Sequence, residues 1–246
     1  RDAAIAEVEA GGSPLNADGN TDPAVWTRRR VLKRLIEAMK IFSEEFGEDQ
    51  LHTRLEGVYA WWTIYPVQFN SVLAWSREFY EEPKKWIDAV AKTNYYNAHR
   101  APSTLSPEEI VEFMRNDSDK GVAHTRGLSA VADEFGLKMY AYEAGPDNGG
   151  GTIPNIANRI RANRLPAMAG VMRHDFEKNW IAEGGDLYLF LEVASAYSRY
   201  GCWGQTEDVK NLNTPKYRAV CELAGRPVPG EEPPVEPPAQ EEEPQL

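Results

Sequence analysis

Positive charge is scarce in this chain. Its 246 residues carry 27 Lys and Arg against 38 Asp and Glu, a formal net charge of −11. A phosphate backbone is bound by a surplus of Lys and Arg that displaces its counterions, so this balance argues against nucleic acid as a partner. Long apolar runs are missing too: none approaches the roughly 20 residues that span a bilayer, so no membrane partner is expected. The start at Arg1 lacks both Met and the basic-then-apolar pattern of a signal peptide, which leads us to expect a piece of a longer protein. Cysteine is limited to Cys202 and Cys221. These two could pair or remain space-filling thiols, and no Cys or His spacing suggests a metal site. Gly149-Gly150-Gly151 is not followed by Lys-Ser/Thr, so a phosphate-loop reading fails and no cofactor is implied.

Aromatics, by contrast, are plentiful. Seven Trp and eleven Tyr include Trp-Trp, Tyr-Tyr and Tyr-Gly-Cys-Trp clusters. Flat apolar rings with a polar edge suit sugar faces, although packing is the ordinary fate of any one ring.

Along the chain, residues 1–10 read as a helix end stopped by Gly11-Gly12. Thr21-Asp22-Pro23 then opens a helix to about Phe46, with Val31, Leu32, Leu35, Ile36, Met39 and Phe42 at helical spacing. Residues 55–64 suit a buried strand with Gly57 inside it, 69–80 a helix and 86–96 a second strand. Ser106-Pro107-Glu108-Glu109 is a helix start with a capping Ser and a Glu at the third position. A further helix is expected over 125–135, a strand over 137–142, helices over 153–183 broken near Pro166, a strand over 187–193 and a last helix over 216–223. Four strands alternating with helices imply a parallel α/β sheet. Four strands make half of a (β/α)₈ barrel, or a small open sheet. Residues 1–226 are expected to form this partial barrel. From Pro227 the chain is almost only Pro, Glu, Gln and Val, so 227–246 reads as a disordered linker or tail.

In a parallel barrel the working residues sit at the carboxyl ends of strands. That rule selects Trp61-Trp62 to Pro66, Asn94 to Arg100, Glu143 to Gly151, and Ser195 to Asp208. Glu143 ends a strand beside Tyr142 and is followed by small residues that let a ligand approach the backbone. A carboxylate there can attack an anomeric carbon, with a Tyr holding it by a hydrogen bond. It can equally pair with an Arg or cap the next helix. His99 suits a substrate hydrogen bond or a solvated loop, and His174 reads as surface. Gly149-Gly150-Gly151 reads as a flexible lip over the Glu143 pocket.

Tyr142-Glu143-Ala144-Gly145 resembles the Tyr-Glu-Gly/Ala-Gly strand end that carries the nucleophile in clan A glycoside hydrolases, which are (β/α)₈ retaining enzymes. Arg28-Arg29-Arg30-Val31, Gln68-Phe69-Asn70-Ser71, Asn94-Tyr95-Tyr96-Asn97 and Tyr200-Gly201-Cys202-Trp203-Gly204-Gln205-Thr206-Glu207-Asp208 extend the likeness to bacterial glycosidase-like and cellulose-binding proteins, from about residue 25 to 225. The resemblance implies the C-terminal half of such a barrel, with Glu143 as nucleophile on strand seven. It also implies Tyr96 as the Tyr that contacts Glu143, and Trp203 as the floor of a sugar subsite. Trp61 and Trp62 would line further subsites, with Tyr142 and Asn97 beside the substrate. Alternation along a strand sends one ring of the Trp61-Trp62 pair into the core, and Tyr95 and Tyr96 suit packing as well as sugar contact.

Retaining hydrolysis needs a second carboxylate, which the clan places after an Asn at the end of strand four. No Asn-Glu dipeptide occurs in this sequence. The missing Glu is therefore expected upstream of Arg1, in an N-terminal half of the same protein, and the chain alone is expected to be inactive. The alternative is a non-catalytic carbohydrate-binding barrel. The family and the tail imply a secreted or cell-surface protein, with a further domain possible after the linker.

Overall fold

A computed structural model describes residues 1–62, 64–148 and 154–230. Helices α1 (Asp2–Glu9) and α2 (Pro23–Phe46) precede the first strand. Then follow β1 (Val58–Ala60), α3 (Pro66–Phe79), β2 (Ala89–Asn97), α4 (Pro107–Phe135) and β3 (Lys138–Asp147). After them come α5 (Ile156–Arg164), α6 (Pro166–His174), a π turn (Asp175–Trp180), β4 (Leu187–Phe190) and α7 (Pro215–Leu223). The strands form one sheet in the order β1-β2-β3-β4, every neighbour parallel. The α/β class and the four parallel strands agree with the sequence.

The local signals act where their chemistry places them. Asp22 caps α2 by accepting from the Ala24 N–H at 2.8 Å. Ser106 and Glu109 complete a reciprocal capping box on α4, and Gly136 closes that helix at φ +65°. The two helices expected within 107–135 are a single 29-residue α4, because no Gly or Pro signal in it outweighs its continuous apolar face. The expected 55–64 strand shortens to three residues. Gly57 does not pair within it: a Cβ there would overlap the Trp86 carbonyl oxygen, so the glycine permits backbone-on-backbone contact ahead of β1.

Alternate strand residues sort onto two unlike faces. Tyr59, Val90, Met139, Ala141, Ala144 and Tyr188 join the main core with helix residues such as Leu32, Ile36, Leu73 and Leu128. On the opposite face Ala89, Ala91 and Tyr140, with Val58 and Tyr142 against them, form a cluster built from strand residues alone. Leu187 and Leu189, on the same face of β4, are 44% and 46% exposed.

Between the sheet and the helices lies a buried polar network. Ser118 and Tyr188 donate hydroxyls to Asp175 at 2.6 Å each. Asn94 donates to the same carboxylate at 3.1 Å and accepts from Lys92 Nζ at 2.5 Å. Burial pushes the Asp175 carboxyl up and the Lys92 amine down to about 8. The π turn begins at Asp175 and so sets the helical chain's approach to this network.

Candidate functional site

The carboxyl ends of β2 and β3 lie side by side and carry the residues on which the site is built. Their pairing shifts by one: Lys92 stands opposite Ala141, but Thr93 stands opposite Glu143. Tyr142 is thus the extra residue of a β-bulge, which breaks the alternation of faces. Tyr142 packs against the strand-only cluster, whereas Ala144 returns to the helix-facing core. The sequence-predicted pair Tyr142 and Glu143 is half-buried at this point.

Glu143 is faced by Tyr95. Burial, then the charges of Glu143 and Asp147, push the Tyr95 pKa up, so its hydroxyl stays protonated beside the two acids. Tyr95 pairs with Gly145, midway between Glu143 and Asp147 on β3.

Asp147 organises the outer part of the site. Trp203 Nε1 donates to Asp147 Oδ1 at 3.0 Å, and His99 Nε2 lies 3.8 Å from Asp147 Oδ2. The half-buried Trp203 ring lies over Gly201, where any Cβ would collide with it. The loop bearing Trp203 is internally wired. Gly204 N donates to Ser195 Oγ at 3.1 Å, Tyr197 to the Gly204 carbonyl at 2.9 Å, and Gln205 Nε2 to the Trp203 carbonyl at 2.9 Å. Lys216, buried beneath it, donates to the Cys202 carbonyl at 2.6 Å, and burial lowers its amine to about 7. Burial also raises the Cys202 thiol to about 11; Cys202 and Cys221 are both free thiols, so the two do not pair.

Other expected residues are placed differently. Tyr96 is a correction: it is 1% exposed and lies among Ile110, Met114, Met168 and Met172 on the helix-facing side, so Tyr95 makes the Glu143 contact in its place. The physical reason is strand alternation, which turns adjacent tyrosines to opposite faces. Asn97 ends β2 and starts the following turn, its Oδ1 accepting from the His99 N–H at 2.9 Å while Asp117 accepts its own N–H at 2.8 Å. Trp61 packs against the main core, and Trp62 is 74% exposed beyond β1. His174 is half-buried and bonded to Asp119 Oδ1 at 2.6 Å. The Gly149-Gly150-Gly151 lip and residues 231–246 of the tail lie outside the described residues.

Asp147 escaped the sequence reading because Gly145-Pro146 looks like the end of a strand. It lies four residues beyond Glu143 on the same strand, with Gly145 at φ +111° between them. Among the described residues no group of three His, Cys, Asp or Glu side chains could hold a metal, and no helix is long and apolar enough to cross a membrane. No family model, curated protein or solved structure matches the chain.

Proposed function

We propose that this chain is the nucleophile-bearing half of a (β/α)₈ retaining glycoside hydrolase acting on polysaccharide or oligosaccharide, with Glu143 as the nucleophile. The observation that carries the reading is the placement of Glu143 at the carboxyl ends of two parallel strands with the protonated Tyr95 hydroxyl beside it. A protonated Tyr beside the carboxylate aims one oxygen and leaves the other to attack. In the chemical step Glu143 bonds to the anomeric carbon as the glycosidic C–O bond breaks, and water later releases the sugar. The half-barrel reading is supported by the sheet order and by the strand-only cluster on one face, which in a closed barrel would be the packed interior. Trp203 and Trp62 would line the sugar path; Trp61 and Asn97 would support it from behind.

The second carboxylate must then come from a segment that completes the barrel. Reading the coding sequence upstream of Arg1 is the direct test. A strand there ending in Asn-Glu supplies the acid/base, and the full-length protein should form a covalent adduct at Glu143 with a 2-deoxy-2-fluoro glycoside bearing a dinitrophenolate leaving group. Such a leaving group departs without protonation, so labelling reports on the nucleophile alone. A Glu143→Gln protein that is labelled as well as wild type would overturn the assignment.

A second reading, a carbohydrate-binding barrel without catalysis, is favoured by one observation: the sequence contains no Asn-Glu dipeptide to supply the acid/base beside Glu143. An upstream segment with another residue in place of the Asn-Glu acid, together with sugar binding that survives Glu143→Gln, would select this reading.

A further inference from the structure

We propose that Asp147 is a positioning residue that fixes the plane of the Trp203 ring as a sugar-stacking platform. The inference rests on the sugar-processing reading above and deepens it.

Two restraints meet on this one ring. The Asp147 carboxylate takes the indole N–H at 3.0 Å, tying the loop after β4 to the end of β3. Gly201 lies against the ring where a Cβ would overlap it, so the ring is seated on bare backbone. The loop's own hydrogen bonds from Gly204, Tyr197 and Gln205 then hold the backbone that carries the ring. An indole fixed at its N–H edge and on its backbone side has lost rotation about both side-chain torsions before any ligand arrives. Stacking on a preset plane avoids the ordering cost that a mobile ring would add to binding.

The placement also relates the platform to the candidate nucleophile. On β3, Asp147 and Glu143 flank Gly145, whose partner Tyr95 lies beside both acids. Asp147 therefore anchors Trp203 to the same strand end that presents Glu143, so platform and nucleophile share one rigid element. His99, 3.8 Å from the other carboxylate oxygen, adds a positive neighbour when protonated.

The test is calorimetric titration of the full chain with cellohexaose and with xylohexaose, alongside the indole ¹⁵N–¹H resonance of Trp203. Asp147→Ala should weaken binding by about tenfold, the cost of ordering one large side chain, and should shift and broaden the Trp203 resonance. Asp147→Asn keeps a carbonyl acceptor and should restore both affinity and resonance. Gly201→Ala should weaken binding with Asp147 intact, because it displaces the ring. If Asp147→Ala binds as wild type does while Trp203→Ala does not bind, the inference alone is overturned. If Asp147→Asn is as damaged as Asp147→Ala, the carboxylate acts by charge and positioning is refuted. If wild type binds neither hexasaccharide, the sugar reading falls and takes this inference with it.

Discussion

Tyr95 and Tyr96 are neighbours in sequence but point to opposite sides of β2, one to the Glu143 carboxylate and one into the helix-facing core. Their hydroxyls have opposite fates. That of Tyr95 faces a carboxylate, and that of Tyr96 is buried with no partner. A buried unsatisfied hydroxyl costs free energy that its removal returns. Tyr96→Phe should therefore raise the unfolding free energy by about 1 kcal/mol in urea titration. Tyr95→Phe should change stability little but slow labelling of Glu143 by the fluoroglycoside about tenfold or more, the effect of losing one hydrogen bond to a charged group. Equal effects of the two substitutions would contradict the assigned faces.

The network around Asp175 makes a second contrast. Asp175→Ala strips partners from Ser118, Tyr188 and Asn94 at once and leaves Lys92 without its balancing charge. A loss of about 3 kcal/mol or more is expected, as for breaking other buried charge networks. Asp175→Asn retains the shape: its carbonyl can still accept from Tyr188 and Asn94 while the Ser118 hydroxyl turns to accept from its amide N–H, so its loss should be distinctly smaller. Urea midpoints of the two variants decide this, and equal losses would show that charge rather than hydrogen bonding holds the network.

Much of this arrangement is legible in the sequence, for physical reasons. Caps such as Ser106-Pro107-Glu108-Glu109 act within one turn, and apolar periodicity reports a face without knowledge of its partner. The buried strands also announce themselves, as do Gly47, Gly136 and Gly184 as stops. What escapes depends on register. The bulge at Tyr142 arises from the pairing of β3 with β2, and it puts Glu143 on Tyr95's face instead of leaving it on the helix side. Nothing local in Lys92 reveals that it is 2% exposed, since its partner Asp175 is 83 residues away in a different element. Asp147 was hidden for a related reason: Gly145-Pro146 reads as a turn, yet Pro146 pairs with Tyr96 as part of β3.

Lys216 gives a pH signature. Burial lowers its amine from 10.5 to about 7, and lowers that of Lys92 to about 8. Between about pH 7 and pH 8.5 the unfolded chain therefore binds more protons than the native one, and stability rises with pH by up to ~1.4 kcal/mol per unit for each such group. Above the ordinary thiol value of 9.0 the trend is opposed by Cys202, whose raised pKa makes the native state hold its proton longer than the unfolded state does. Unfolding free energies across the lower window should slope upward in wild type and less steeply in Lys216→Met. The same slope in both proteins would show that Lys216 keeps its charge when buried.

The exposed β4 end of the strand-only face yields the last expectation. Leu187 and Leu189 alternate with Tyr188 on β4, but Tyr188 is 9% exposed whereas the two leucines are 44% and 46% exposed. Replacing an exposed apolar side chain removes little packing, so Leu189→Lys should cost no more than about 0.5 kcal/mol in this chain. A Lys on an edge strand also disfavours strand-to-strand association, so the variant should elute later than wild type in gel filtration at high concentration. Within a closed barrel the same position would face the packed interior, and a Lys there would be a buried charge without a partner. The substitution should then cost several kcal/mol in a longer protein that completes the barrel, while remaining mild in the 246-residue chain. Thermal melts of both lengths make the comparison. A mild effect in each would argue for an open four-stranded sheet, and a severe effect only in the longer protein would argue for the half-barrel.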